Sequence, residues 1–205
     1  MKKIEFHTVK YVLGKLGTFE NRQLFSRFEQ MIQQKGLKTT VHSGQLNQYI
    51  VQFDGEIDDF FMLISRLIAK ETNHMKQAAK LQLRITERIK EDRLWSSLIM
   101  CTERLLDFHR QIYNGLYDRL QQMKEQSNTE AKEKALIEEM NSFLLEWDGL
   151  GEKWKGLIIT ASTNDVVWVE GDARTMPNSL SLYSQPVNVG NVLSDHFFAK
   201  KRVSS

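Results

Sequence analysis

Through most of this chain apolar residues recur every three to four positions, the spacing that lines one face of an α-helix. Phe6, Val9, Tyr11, Val12 and Leu16 predict a first short helix ending near Gly17. Leu24, Phe25, Phe28, Met31 and Ile32 predict a second, with Asn21 as its cap and Gly36 as its stop. From about Gly44 to Thr72 the same period runs through Leu46, Ile50, Phe53, Ile57, Phe60, Phe61, Ile64, Leu67 and Ile68. These positions predict a third helix over that whole stretch; Gly55 interrupts its middle, and the acidic run "DGEIDD" offers the alternative of a new helix start there, because carboxylates suit the positive end of a helix dipole. It lacks the alternating ligands and distant bidentate glutamate of a calcium loop. A fourth helix, from Asp92 to about Gln126, places Leu94, Leu98, Leu105, Phe108, Ile112, Leu116 and Leu120 on its core face. A fifth carries Ala135, Ile137, Met140, Phe143, Leu144, Trp147 and Leu150 and runs toward Leu157. The polar turn "EQSNTE" joins the two as an antiparallel hairpin.

Two stretches leave this period. Leu81, Leu83 and Ile85 alternate with Gln82, Arg84 and Thr86, which predicts a strand near 80–87 that needs a partner. After Ser162 the segments "DVVWVEG" and "LSLYSQPV", separated by the turn-rich "EGDARTMPNS", predict a β-hairpin. "VGNVLSDHFFAKK" then reads as a short helix. The fold class is therefore mainly α (α+β): a long-helix bundle with one short strand and a C-terminal hairpin plus helix. It divides into a helical body, 1–162, and a small tail, 163–205. The only prolines, Pro177 and Pro186, lie in that tail. Since proline costs about 3 kcal/mol inside a helix, their placement agrees with a helical body.

Bulk properties narrow the function less. The 205 residues are 41% hydrophobic and 26% charged with a net charge of +2, so any attraction to nucleic acid must be local. The longest apolar runs, such as "FFMLI" at 60–64, are far shorter than the roughly 20 residues that span a bilayer, so no membrane partner is expected. No apolar signal core follows Lys2 and Lys3, and a single cysteine, Cys101, suits a reducing cytoplasm.

There is no Walker-type glycine loop and no dinucleotide fingerprint. The histidines (His7, His42, His74, His109 and His196) form no metal-ligand spacing, so no metal site is expected. Cys101 has no base near it in sequence, and "ITAST" lacks the glycines of a nucleophile elbow. The residues thus supply no catalytic group for a self-sufficient enzyme. One charge pattern stands out. Lys76, Lys80, Arg84 and Arg88 are four apart, and Lys90 and Arg93 follow. A continuous helix would turn the first four into a stripe able to track phosphates. A strand at 80–87 would break the stripe and put Arg84 beside Gln82 and Thr86. The plain reading is a solvated face; the sharper one is contact with nucleic acid. Trp168, alternating with Val167 and Val169, suits an exposed strand face able to stack on bases.

The tail motifs carry a resemblance. Val167, Trp168, Val169 and Glu170, then Leu182, Tyr183, Ser184, Pro186 and Val187, then Leu193, Phe197 and Phe198 resemble successive elements of the DinG-type helicases, the XPD-related branch of helicase superfamily 2. In that family they precede the strand bearing the T-S-A-T motif, and the terminal "RVSS" is similar to the approach to that strand. "EFHTVKYVLGKLGT" resembles the helix after the DEAH box in Gram-positive DinG proteins, and the helical body has the size and kind of the family's Arch domain. The resemblance implies a piece of an ATP-dependent DNA helicase active in DNA repair: the Arch plus a small part of the first motor domain, whose edge strand "LYSQPV" would be left unpaired in isolation. It implies no cofactor in this segment, with ATP and magnesium bound by the parent. It also implies single-stranded DNA and the remaining motor domains as partners, and no chemistry in the segment itself. Some members carry an iron–sulfur cluster and others an exonuclease domain upstream. The alternative reading is a self-contained helical protein–protein interaction module.

Overall fold

The computed structural model describes residues 1–17, 24–72, 79–126, 130–161 and 165–187. The chain opens with strand β1 (Lys2–Glu5) and passes directly into helix α1 (Phe6–Leu16). Helices α2 (Leu24–Gln34) and α3 (Ser43–Glu71) follow, then strand β2 (Lys80–Ile85), a one-turn helix α4 (Glu87–Lys90), and the long helices α5 (Arg93–Lys124) and α6 (Ala131–Trp154). A π-helical turn, Lys155–Ile159, extends α6, and strands β3 (Asp165–Asp172) and β4 (Ser181–Pro186) complete the described chain. The molecule is thus mainly helical with a small antiparallel sheet, as the periodicities predict. The expected cap Asn21 and the helix expected at 189–201, with Leu193, Phe197 and Phe198, lie outside the described residues.

Local signals explain the helix ends. At the end of α2, Gly36 takes a positive φ of 63°, a conformation glycine adopts without steric cost. Its N–H donates to Gln33 O and the Leu37 N–H donates to Ile32 O, both at 3.0 Å, which closes a Schellman motif. Asp92 caps α5 by accepting from the Leu94 N–H at 2.8 Å. Glu130 and Glu133 form a capping box at the start of α6. Helix α3 runs unbroken through "DGEIDD", as its continuous period predicts, and the alternative of a new helix start there is not taken. Its carboxylates are instead taken up by neighbouring helices. Lys10 of α1 pairs with Asp54 at 2.6 Å and Asp58 at 2.7 Å, and Arg104 of α5 pairs with Glu56 at 2.8 Å.

Helices α3, α5 and α6 pack around an aromatic centre. Phe53 lies 4.8 Å from Trp147 and 6.0 Å from Trp154 between ring centroids, and Phe60 meets Trp154 edge-on at 5.8 Å. Two polar devices are buried in the same bundle. His109 Nε2 donates to the Trp147 carbonyl at 2.6 Å while Trp147 Nε1 donates back to the His109 carbonyl at 3.1 Å, with the rings stacked at 5.0 Å. Gly151 passes so close that a Cβ there would lie 2.5 Å from His109 Cε1. Further along α5, the fully buried Arg119 guanidinium pairs with Glu29 of α2 and donates to the carbonyls of Gly115 (2.9 Å) and Val41 (2.8 Å). Ser43 Oγ donates to the second Glu29 oxygen, so one network ties α2, the start of α3 and α5.

The four strands form one antiparallel sheet in the order β1-β4-β3-β2. The β3–β4 hairpin therefore sits between a strand from the start of the chain and one from its middle. The unpaired edge expected at "LYSQPV" is absent: β1 pairs along it, with Lys2 opposite Ser184, Lys3 opposite Tyr183 and Ile4 opposite Leu182. Ile4, Leu182, Val169, Val167, Leu81 and Ile85 turn inward and are buried. Period-two alternation then fixes which side chains face outward.

Candidate nucleic-acid interface

The outward face of the sheet is built by register. Lys3 lies opposite Tyr183, Tyr183 opposite Trp168, and Trp168 opposite Arg84, so one row crosses all four strands. The Trp168 and Tyr183 rings stack at 5.0 Å between centroids and 7° from parallel. The Lys3 ammonium lies over the free side of Tyr183, 5.2 Å from its centroid. The neighbouring row holds Glu5, Ser181, Glu170 and Gln82. Glu170 Oε1 accepts from Trp168 Nε1 at 2.9 Å and from Gln82 Nε2 at 3.1 Å, which fixes the indole. A shallow cavity of about 520 Å³ opens beside these rows, lined by Lys80, Gln82, Glu170, Asp172, Ser181 and Tyr183.

The carboxylates of this face are already engaged. Lys3 pairs with Glu5 at 2.6 Å; that hydrogen bond raises the Lys3 pKa and lowers that of Glu5. Asp172 accepts from Arg174 at 2.7 Å, and this contact brings the carboxyl down to about 2. Lys80 and Arg84 are exposed, and among the described residues neither enters an ion pair.

The six basic candidates separate accordingly. Lys76 lies outside the described residues. Lys80 and Arg84 share the outward face of β2 with Gln82, because the strand alternative of the sequence reading is the one adopted. Arg88, on α4, pairs with Glu71, and Lys90 pairs with Glu87 at 2.8 Å. Arg93 is exposed in the first turn of α5, without an ion pair among the described residues. Val167, Val169, Leu182 and Ser184 are buried supports of the sheet; Trp168, Glu170 and Tyr183 lie on its outer face; Pro186 ends β4, followed by exposed Val187. Sequence reasoning missed Lys3. Its strand is only four residues long and runs straight into α1, so period two has no room to show.

Other reactive groups are quiet. Burial, and next the contact with Glu56, push the Cys101 thiol up to about 12, so it is not a thiolate at neutral pH. Among the described residues no three His, Cys, Asp or Glu side chains come together to hold a metal ion. No helix among them is long and apolar enough to cross a membrane.

No family model matches the chain. Among curated proteins, the 3'-5' exonuclease DinG of Bacillus subtilis (strain 168) aligns with 201 residues, 97% of this chain, at 24% identity. The chain is similar to DinG along nearly its whole length. It spans about a fifth of that relative, 21% of its length. The similarity to DinG runs through the helical body as well as the tail motifs, whereas the resemblance read from the residues rested on the tail and, for the body, on pattern and position.

Proposed function

We propose that the chain is the Arch-like segment of a DinG-type, ATP-dependent DNA helicase and that it guides single-stranded DNA without chemistry of its own. In this reading residues 1–162 form the Arch, residues 163–205 belong to the first motor domain, and ATP and magnesium bind elsewhere in the parent, which works in the cytoplasm. The observation that carries the reading is the similarity to the 3'-5' exonuclease DinG over 97% of this chain. The cation-flanked aromatic row on the sheet supports it, since single strands are held by basic grooves with interleaved aromatic rings. Charge reversal at Lys80 and Arg84 tests it. The double variant should bind a labelled single-stranded oligonucleotide at least tenfold more weakly at about 50 mM salt, because phosphate contacts dominate such affinity. Unchanged binding would refute this placement of the interface.

A second reading, a helical protein-interaction module, draws on one feature. Between α3 and α5 a groove of about 300 Å³ exposes Met62 and Met100 beside Arg66 and Arg104. Flexible methionine surfaces suit adaptable protein partners. Protein capture that is insensitive to nucleic acid would favour this alternative.

A further inference from the structure

We infer that the Trp168–Tyr183 stack is a base-binding site: it takes one unpaired nucleobase on the Trp168 side, with Arg84 and Lys80 holding the adjoining phosphates. The inference rests on the nucleic-acid reading above and names the part of the ligand that the sheet recognises. The two ends of the stack differ. Lys3 covers Tyr183, whereas Arg84, the direct cross-strand neighbour of Trp168, does not place its guanidinium over the indole, and no other described cation does. The Trp168 end of the stack therefore carries no cationic lid. The indole is fixed in place by its bond to Glu170 and by the Tyr183 ring behind it, so little freedom remains to be lost on binding. Charge favours the same ligand. Glu5 is tied to Lys3 and Asp172 to Arg174, and Glu170 accepts from the neutral Trp168 and Gln82 donors; on this face Lys80, which lies opposite Asp172, and Arg84 enter no ion pair among the described residues and are the cations placed to meet phosphate. A base paired and stacked in a duplex presents no open π-face, so the site selects single strands. Every base has such a face, so it is tolerant of sequence.

Intrinsic fluorescence isolates this site, because Trp95, Trp147 and Trp154 are buried and Trp168 is the tryptophan at the surface. The 205-residue chain is titrated with a 15-nucleotide oligo(dT), and with a duplex of equal length, reading tryptophan emission and, with labelled strands, anisotropy. The single strand should quench the wild type, and the duplex should quench little. Trp168→Leu keeps apolar bulk without a π-face; it should abolish quenching and weaken binding about tenfold, the usual order for a lost stacking partner. Trp168→Phe should retain most of the affinity. Circular dichroism of both variants confirms that the sheet is intact, and if the leucine variant unfolds, Tyr183→Leu replaces it. Should Trp168→Leu bind like the wild type while Arg84→Glu weakens binding, the stacking site is wrong and the nucleic-acid reading stands. If the wild type binds no oligonucleotide at all, both fail.

Discussion

Replacing Arg119 by alanine should be among the most damaging single changes to the helical body. Its side chain is fully buried and has three hydrogen-bonded partners, the Glu29 carboxylate, Gly115 O and Val41 O, besides the Phe25 ring 5.9 Å from the guanidinium. The substitution leaves Glu29, itself only 8% exposed, with the Ser43 hydroxyl and no counter-ion. Removing one partner of a buried ion pair costs about 3–5 kcal/mol, because an uncompensated charge remains in a poorly polarisable interior. For a chain of this size that is a fall in melting temperature of roughly 6–20 °C. Urea unfolding followed by emission of the buried Trp147 and Trp154 measures it. The double variant Arg119→Met/Glu29→Met removes both charges and should recover much of the loss, since apolar replacement of a buried pair is often close to neutral. A loss below about 1 kcal/mol for Arg119→Ala, or no recovery in the double variant, would refute the argument that the penalty comes from stranding Glu29.

Three further outcomes follow from the same packing. Burial holds the His109 imidazole below its ordinary pKa, against the upward pull of the Trp147 carbonyl, Asp148 and Glu152. The unfolded chain therefore takes up a proton that the folded chain refuses, and stability should fall as pH drops below about 6.5, levelling off below the folded pKa. Urea midpoints at pH 7.5 and 5.5 should show a His109-dependent difference that vanishes in His109→Gln. Gly151→Ala should cost about 1–3 kcal/mol, because its methyl would collide with the His109 ring. Gly55→Ala, at a helical position with nothing within 4 Å of the new methyl, should gain about 0.5–1 kcal/mol, read as a rise in urea midpoint.

The helices were legible because their core faces repeat over many turns, and Gly36 marked a stop that its positive φ explains. "DGEIDD" left an alternative open because a carboxylate run in the middle of a helix looks like a helix start unless Lys10 and Arg104, distant in sequence, are known to face it. Arg119 could not be read as buried, since its partner Glu29 lies 90 residues away and both look like surface charges. The site was half legible. Alternation placed Trp168 and Arg84 on an outward face, but only register shows that they are neighbours and that Tyr183 and Lys3 continue the row. Strand pairing between segments this far apart is decided by which inward faces bury one another, and no single strand carries that information.

Binding of a labelled single-stranded oligonucleotide at about 50 and 200 mM salt addresses the proposed role most directly. If Lys80, Arg84 and Arg93 each neutralise a phosphate, the logarithmic salt slope is about −2, so the affinity should drop roughly 20-fold between the two conditions. No binding at the lower salt, or binding that salt leaves unchanged, would contradict a strand-guiding surface on this chain.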